Sequence, residues 1–421
     1  MRSIWEDPQF KPYQMAYLGR RRLYLERRRY YDGTIYDDGA FRLAHKLYAQ
    51  TKSLFAFLAR AVDLDVALVP GVMGPWQLNE GAASATLDAQ TRLYEWSEWP
   101  IVSDNWLADG ATTGEGMIKI VPDMDVRIVQ LQRLAPEDCL LTQLVGEGGE
   151  VGPMALIVVP EMTDHAGERY EYAEVITPDE IRTFRDGGPH GYGGNPDRYP
   201  NPLGFVPVVA TNNDTGQRPT FAKAQPQLDS VNELASYLAD IIGRHAEPQW
   251  AVKGGEPSEL VKSGDNVWFL PSGADVQAIL ASVDIAGTLD FIREVKGETK
   301  ANLPELAFDD LRAKDQIATE TLEIQLMELD AKIWKMRRRY DAGLMRAHRM
   351  AATAAAVVGI TGLEGLLLPH ALDFARPVRP VSRFDQIRLE EAELALEAQK
   401  QIFGGERLTT TAGAIDAIVR G

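Results

Sequence analysis

From residue 318 to 358 apolar side chains recur at steps of three and four: Leu322, Leu326, Leu329, Ile333, Met336, Tyr340, Leu344 and Ala347. That period predicts a single helix. At 1.5 Å per residue it extends to roughly 60 Å, far beyond the ~11–12-residue average of globular helices. Such a helix crosses an assembly or forms the spine of a domain. The same period predicts shorter helices at Ala40–Val62, with Phe41, Ala44, Leu47, Leu54, Leu58 and Ala61 on one side, and at Ser84–Glu98. At Gln227–Glu247, Val231, Leu234, Leu238, Ile241 and Ile242 form one stripe. Asp229, Glu233, Asp240 and Glu247 keep to the other side, and Pro248 stops the helix. Thr288 is the expected N-cap of a helix to Asn302, with Leu289, Ile292 and Val295 on its stripe. A last pair is expected at Phe384–Phe403, capped by Gly404-Gly405, and at Thr411–Val419.

Between these helices the period drops to two. Met117–Val121 and Val126–Val129 read as strands around a turn, and Ala155–Val159 with Tyr170–Ile176 as a hairpin pair. Gly187–Pro207, dense in Gly and Pro, reads as a loop, and the acidic run 146–150 as a hairpin turn. Trp250–Val252, Val267–Leu270 and Val276–Leu280 are strand-like pieces in the interval between the two amphipathic helices. The fold class is therefore α+β.

Composition is ordinary for a globular chain of 421 residues, 45% apolar and 25% charged, so a core can form. A net charge of −17 argues against a protein that wraps nucleic acid. It does not argue against a surface past which DNA slides. Residues 1–30 are the exception at +5, with Arg20-Arg21-Arg22 and Arg27-Arg28-Arg29. They read either as a basic arm for an acidic partner or as a solvated helix face. No apolar run is long enough to span a bilayer, and no signal peptide is expected.

Chemistry is sparse. No Lys follows a Gly, so a phosphate-binding Gly-Lys-Ser/Thr loop is absent from the sequence. The six His show no metal-binding spacing, and Cys139 reads as a buried thiol at a strand end. Asp309, Asp310 and Asp315 have the chemistry to ligate Mg²⁺, but among Arg312 and Lys314 they read more simply as an exposed polar loop. The expectation is a protein that is not an enzyme and needs no cofactor and no metal. On the 288–302 helix, Asp290, Glu294 and Glu298 follow at i, i+4 and i+8, a mildly unfavourable like-charge stripe. It suits a wall that a polyanion must pass without sticking, or equally a solvated face relieved by Arg293 and Lys296.

Three segments, in order, resemble the portal proteins of tailed bacteriophages. The first is Asn201-Pro202-Leu203-Gly204-Phe205-Val206-Pro207-Val208-Val209 with Asn212-Asn213, followed by the helix Gln227 to His245. The second is Leu303-Pro304-Glu305-Leu306-Ala307, then a polar loop, Ala318-Thr319-Glu320 and the very long helix. The third is Asp385 to Gly421, a Glu- and Ala-rich helix, a Gly turn, Thr409-Thr410-Thr411 and a short helix. The basic Arg triplets belong to no pattern of that family.

The resemblance implies a portal-like fold, with an α/β wing at 1–226 and a stem of helices 227–247 and 288–303. It implies a small α/β clip at 248–287, a tunnel loop at 304–317, the long wing helix and link at 318–382, and a helical crown at 383–421. It further implies a ring of twelve subunits at one capsid vertex, conducting double-stranded DNA during packaging and ejection. The tunnel loop would turn Asp309, Asp310, Arg312, Lys314, Asp315 and Gln316 toward that DNA, and Asp290, Glu294 and Glu298 would line the stem. Trp250, Lys253, Lys262 and Trp268 would meet clip partners. The implied partners are the terminase large subunit, a head-completion or tail adaptor protein, and the major capsid and scaffolding proteins, with no membrane. The implied location is the virion, after assembly in the host cytoplasm. The alternatives are another phage head connector or capsid-associated protein, or a metal-dependent nuclease or hydrolase using Asp309, Asp310 and Asp315.

Overall fold

The computed structural model describes residues 3–36, 57–70, 76–78, 82–145, 151–192, 194–246, 249–253, 261–262, 268–269, 275–279, 285–306 and 319–372. The helical stripe expected at 41–54, the turn at 146–150 and the C-terminal helices after 383 lie outside the described residues. The long helix is α7 (Thr319–Val358, 40 residues), one residue shorter at its start than expected. From Leu329 through Ile333, Met336, Tyr340 and Leu344 to Ala347 its stripe is buried. It packs on a three-stranded antiparallel sheet of order β10 (Val208–Asn212), β1 (Glu115–Asp123), β2 (Ile128–Leu134). Ile118 and Ile120, and Val129 and Leu131, supply alternate inward positions, as the two-residue period of a half-buried strand dictates.

Helices α3 (Ser84–Ser97) and α4 (Trp99–Thr113) close the same core. The second of these leaves no period in the sequence. Trp99, Ser103, Trp106, Leu107, Asp109, Gly110 and Ala111 bury it on most sides, so no polar face marks it. Glu98, at φ 49°, is the joint between the two helices. In the core the rings of Trp76, Trp99 and Trp106 lie 5.7 to 6.0 Å apart, and Tyr340 meets Trp106 edge-on at 4.8 Å. Gly110 and Gly343 set how closely α7 can approach. A β-carbon at the first would strike the Tyr340 hydroxyl, and at the second the Thr211 side chain of β10.

A second antiparallel sheet runs β3 (Cys139–Val145), β4 (Val151–Val158), β6 (Arg169–Ile176), β7 (Glu180–Arg185) and β8 (Gly188–Pro189). The expected pairing of β4 with β6 is present, Leu156 opposite Ile176, with the short β5 (Glu161–Thr163) between them in the chain. The segment after Gly187 is more ordered than a loop. It supplies β8 and β9 (Arg198–Pro200), both paired to β7, because Thr183 exchanges hydrogen bonds with Asp197 and His190. Cys139 is buried at the start of β3, and burial pushes its thiol far above the ordinary range.

Helix α1 (Gln14–Tyr31) packs on α4 and the start of β3, and α2 (Phe57–Leu68) runs six residues past the expected end at Val62. Helices α5 (Gln225–Ala246) and α6 (Ile285–Ala301) pair along Val231, Leu238 and Ile292. The second begins three residues before Thr288, which sits in its first turn and is not the cap. Between them lie two ribbons, β11 (Gln249–Lys253) with β14 (Asp275–Ile279) and β12 (Val261–Lys262) with β13 (Trp268–Phe269). Leu329, 2% exposed in the main core, tests the spine. Leu329→Asp buries a carboxylate without a partner and should cost about 3–5 kcal/mol, read as a lowered denaturation midpoint. Wild-type stability would overturn the packing of α7.

Candidate functional site

The expected site falls on three places: the α5–α6 pair, the 304–306 turn ahead of residues 307–318, and the ribbons between α5 and α6. On α6, Asp290, Glu294 and Glu298 are all exposed on the side away from the Val231–Ile292 seam. Arg293 pairs with Asp290 at 2.8 Å. Both side chains are more than two-thirds exposed, so that pair is worth little. Lys296 turns its ammonium to the Phe57 ring of α2, 5.4 Å from the centroid. One of the two cations expected to relieve the stripe is thus on Asp290 and the other reaches toward α2. On α5 Asp229 is not on a solvated side as its spacing suggested. It accepts hydrogen bonds from Tyr30 at 3.0 Å and Tyr36 at 2.7 Å, fixing α5 to the end of α1, and burial raises its pKa.

Tunnel-loop residues Asp309, Asp310, Arg312, Lys314, Asp315 and Gln316 lie outside the described residues. The root on which they stand is described. Pro304–Leu306 forms a 3-10 turn whose Leu303 and Leu306 enter a cluster with Leu58, Ala61, Phe221 and Leu228. Glu305, fully buried, takes the ammonium of Lys332 on α7. The same ammonium is 3.3 Å from the buried Asp65 of α2, which also accepts from the Thr220 hydroxyl. Two carboxylates and one cation leave an excess negative charge out of water. Burial accordingly raises the pKa of Asp65, against the pull of Lys332, and lowers that of Lys332. Sequence spacing gave no sign of this cluster, because its members come from four distant segments. A cavity of about 440 Å³, lined by Asn213, Asp214, Lys223, Pro304, Lys332 and Lys335, opens beside it.

Of the clip candidates, Trp250 and Lys253 stand on β11, opposite Ala278 and Asp275. Lys262 on β12 is opposite Trp268 on β13. Backbone register thus brings one Lys and one Trp together in the second ribbon.

Three of the six arginines in the triplets fit neither expectation, while Arg22 is exposed as a solvated helix face requires. Arg20 pairs with Glu115 and donates to the Cys139 carbonyl at 2.9 Å. Arg27 donates to the carbonyls of Thr113 and Gln217. Arg28 bridges Glu137 at 2.6 Å and Asp109 at 2.7 Å, and Arg133 reaches Asp109 from the other side at 2.6 Å. These cations are structural clamps between α1 and the sheets. At α7's other end, His370 donates from Nδ1 to the Leu368 carbonyl at 2.7 Å. Its Nε2 therefore accepts from Nδ1 of His348, at 3.2 Å. His348 is fully buried against Tyr94.

Two measurements test this polar framework. Lys332→Met strands Glu305 in the interior and should cost about 3–5 kcal/mol of unfolding free energy. The triple change Asp65→Asn, Glu305→Gln, Lys332→Met should recover part of that loss in the same denaturant titration. Burial, followed by the His370 ring, lowers the pKa of His348 to about 3. The unfolded chain gains its proton near pH 6.5 and the folded one only near 3, so stability falls as pH drops between those values. Wild type should lose up to about 1.4 kcal/mol per pH unit more than His348→Phe in that window. Equal slopes would show that His348 protonates freely in the folded state.

Among solved structures, this chain is similar to one in the neck of an empty GTA particle computed with C6 symmetry, at 11% identity and TM-score 0.42, covering 88% of this chain and 92% of that one. Another occurs in the virion of a native gene transfer agent particle, at 12% identity and TM-score 0.37, covering 83% and 86%. A third is in the neck of the native particle computed with C12 symmetry, at 14% identity and TM-score 0.37, covering 80% and 84%. No curated protein matches. The family model for phage portal proteins of the SPP1 Gp6-like type matches residues 15–360, which takes in α1, both sheets, the α5–α6 pair and the whole of α7, and the chain belongs to that portal family.

Proposed function

We propose that this portal protein assembles as a closed ring, of twelve subunits, at one vertex of a phage or phage-like capsid, and that double-stranded DNA passes through it. The carrying observation is the α5–α6 pair. Its apolar seam faces inward between the two helices, and α6 turns three exposed carboxylates, Asp290, Glu294 and Glu298, the other way. Repeated around a ring, such a stripe repels phosphate and keeps DNA from adhering. The buried root at Glu305, Lys332 and Asp65 gives the 307–318 segment a rigid base. On that base Asp309, Asp310, Arg312, Lys314, Asp315 and Gln316 would meet the DNA. The ribbons carrying Trp250, Lys253, Lys262 and Trp268 form the clip in this reading, where the terminase large subunit and later the adaptor dock. The role is structural, and the reaction that drives DNA belongs to the docked motor.

Native mass spectrometry of the purified protein should give about twelve times the 46.6 kDa chain. A single subunit with Mg²⁺-dependent DNA cleavage would overturn the ring in favour of the nuclease. In particles with equal portal content, Arg312→Ala with Lys314→Ala should leave the ring intact and reduce packaged DNA or its retention. Unchanged DNA content and retention would remove the 307–318 segment from the channel.

A further inference from the structure

With its clamping arginines turned inward, α1 has a second side that no other described residue is seen to cover. Met15, Leu18, Arg22, Leu25 and Arg29 follow at steps of three and four, which places them in one row. Met15 is 80% exposed, Leu18 44% and Leu25 40%. Leu18, Arg22, Leu25 and Arg29, with Ile35, line an open groove. Arg22 makes no ion pair among the described residues, unlike Arg20, Arg21 and Arg28. An apolar row carrying Arg22, with the spacing of a helix-packing seam, is a contact surface whose partner is not among the described residues.

The same chain carries the complementary face. On α3 and the start of α4, Asp88, Glu95, Glu98 and Asp104 are exposed, and none of the four makes an ion pair among the described residues. Leu87 (43% exposed) and Ile101 (61%) lie among them. Both α1 and α3 pack on α4, so the basic row and the acidic face belong to helices that flank a common neighbour.

We propose that the Met15–Leu18–Arg22–Leu25–Arg29 row of one subunit docks on the Asp88–Glu95–Glu98–Ile101–Asp104 face of a second copy. Two different surfaces then meet head to tail, which is the contact type that closes rings. The inference rests on the ring reading above and names the contact that builds it. A row about 21 Å long and about 10 Å wide covers roughly a quarter of the ~800 Å² per partner in a standard interface. Charge complementarity therefore sets which faces meet, while further area comes from elsewhere in the subunit. Such pairing is weakened by salt.

Charge reversal in the full-length chain, followed by sedimentation velocity at low and high salt, tests it. Arg22→Glu with Arg29→Glu should weaken assembly at least tenfold, and Asp88→Lys with Glu95→Lys should do the same. Combining all four reversals should restore assembly, because the faces again carry opposite charge. Helical content and melting temperature report folding. If Arg29→Glu disturbs the chain, Arg22→Glu against Glu95→Lys repeats the cycle with one residue on each side. Variants that assemble like wild type, or reversals that fail to rescue one another, overturn the pairing and leave the row to a different partner. A wild-type chain that sediments as a single subunit overturns the ring itself, a result distinct from a ring indifferent to these changes.

Discussion

The architecture depends on how one long helix satisfies two cations that it carries into the interior. Lys332 sits between Asp65 and Glu305. Arg337 donates to the carbonyls of Val69 and Pro70 and pairs with Asp341 at 2.7 Å, its guanidinium 5.0 Å from the Trp76 ring. Neither charge tolerates burial alone. An amphipathic stripe by itself allows a helix to slide or roll by a turn. These two anchors, five residues apart, allow α7 only one register. The register in turn decides where the wing core ends and where the 304–306 turn is held.

The same economy explains the distribution of charge. Arg20, Arg27 and Arg28 spend their donors on carbonyls and carboxylates of the strands and α4, including the buried Asp109 and Glu115. Asn201 works similarly without charge. Its amide donates to Thr177 and Phe205 carbonyls while its oxygen accepts from Leu203, which ties the 201–205 segment into a compact bend ahead of β10. That segment was the first part of the family resemblance. Its Asn is therefore a joint in the fold and has no direct chemistry.

Much of the helical framework was legible in the sequence. The periods at 227–247, 288–302 and 318–358 gave α5, α6 and α7 to within three residues at either end, because each has one buried and one wet side. Helix α4 escaped for the opposite reason, since Trp99, Trp106 and Gly110 are all inside and no polar side alternates with them. Strands β7 and β10 and the short β8 and β9 escaped because pairing across the sheet, not local composition, defines them. Exposure of Asp290, Glu294 and Glu298 could be read from spacing alone. The inward turn of Arg20 and Arg28 could not, because their partners Glu115, Asp109 and Glu137 are about 80 to 110 positions away in the chain. The Asp65–Lys332–Glu305 cluster was equally hidden, with α2 and α7 supplying opposite charges from far ends of the sequence.

The 40-residue helix has no proline, and it is gripped along its middle by sheet, aromatic rings and paired charges. One end adjoins the 307–318 segment. The other leads into a return whose Gly365 carbonyl accepts from Thr86 of α3. A rod buried from Leu329 to Ala355 moves as one piece, because bending it would break backbone hydrogen bonds. A displacement at the 319 end is therefore felt at once by the sheet and by the return beyond Val358 on which the same helix packs.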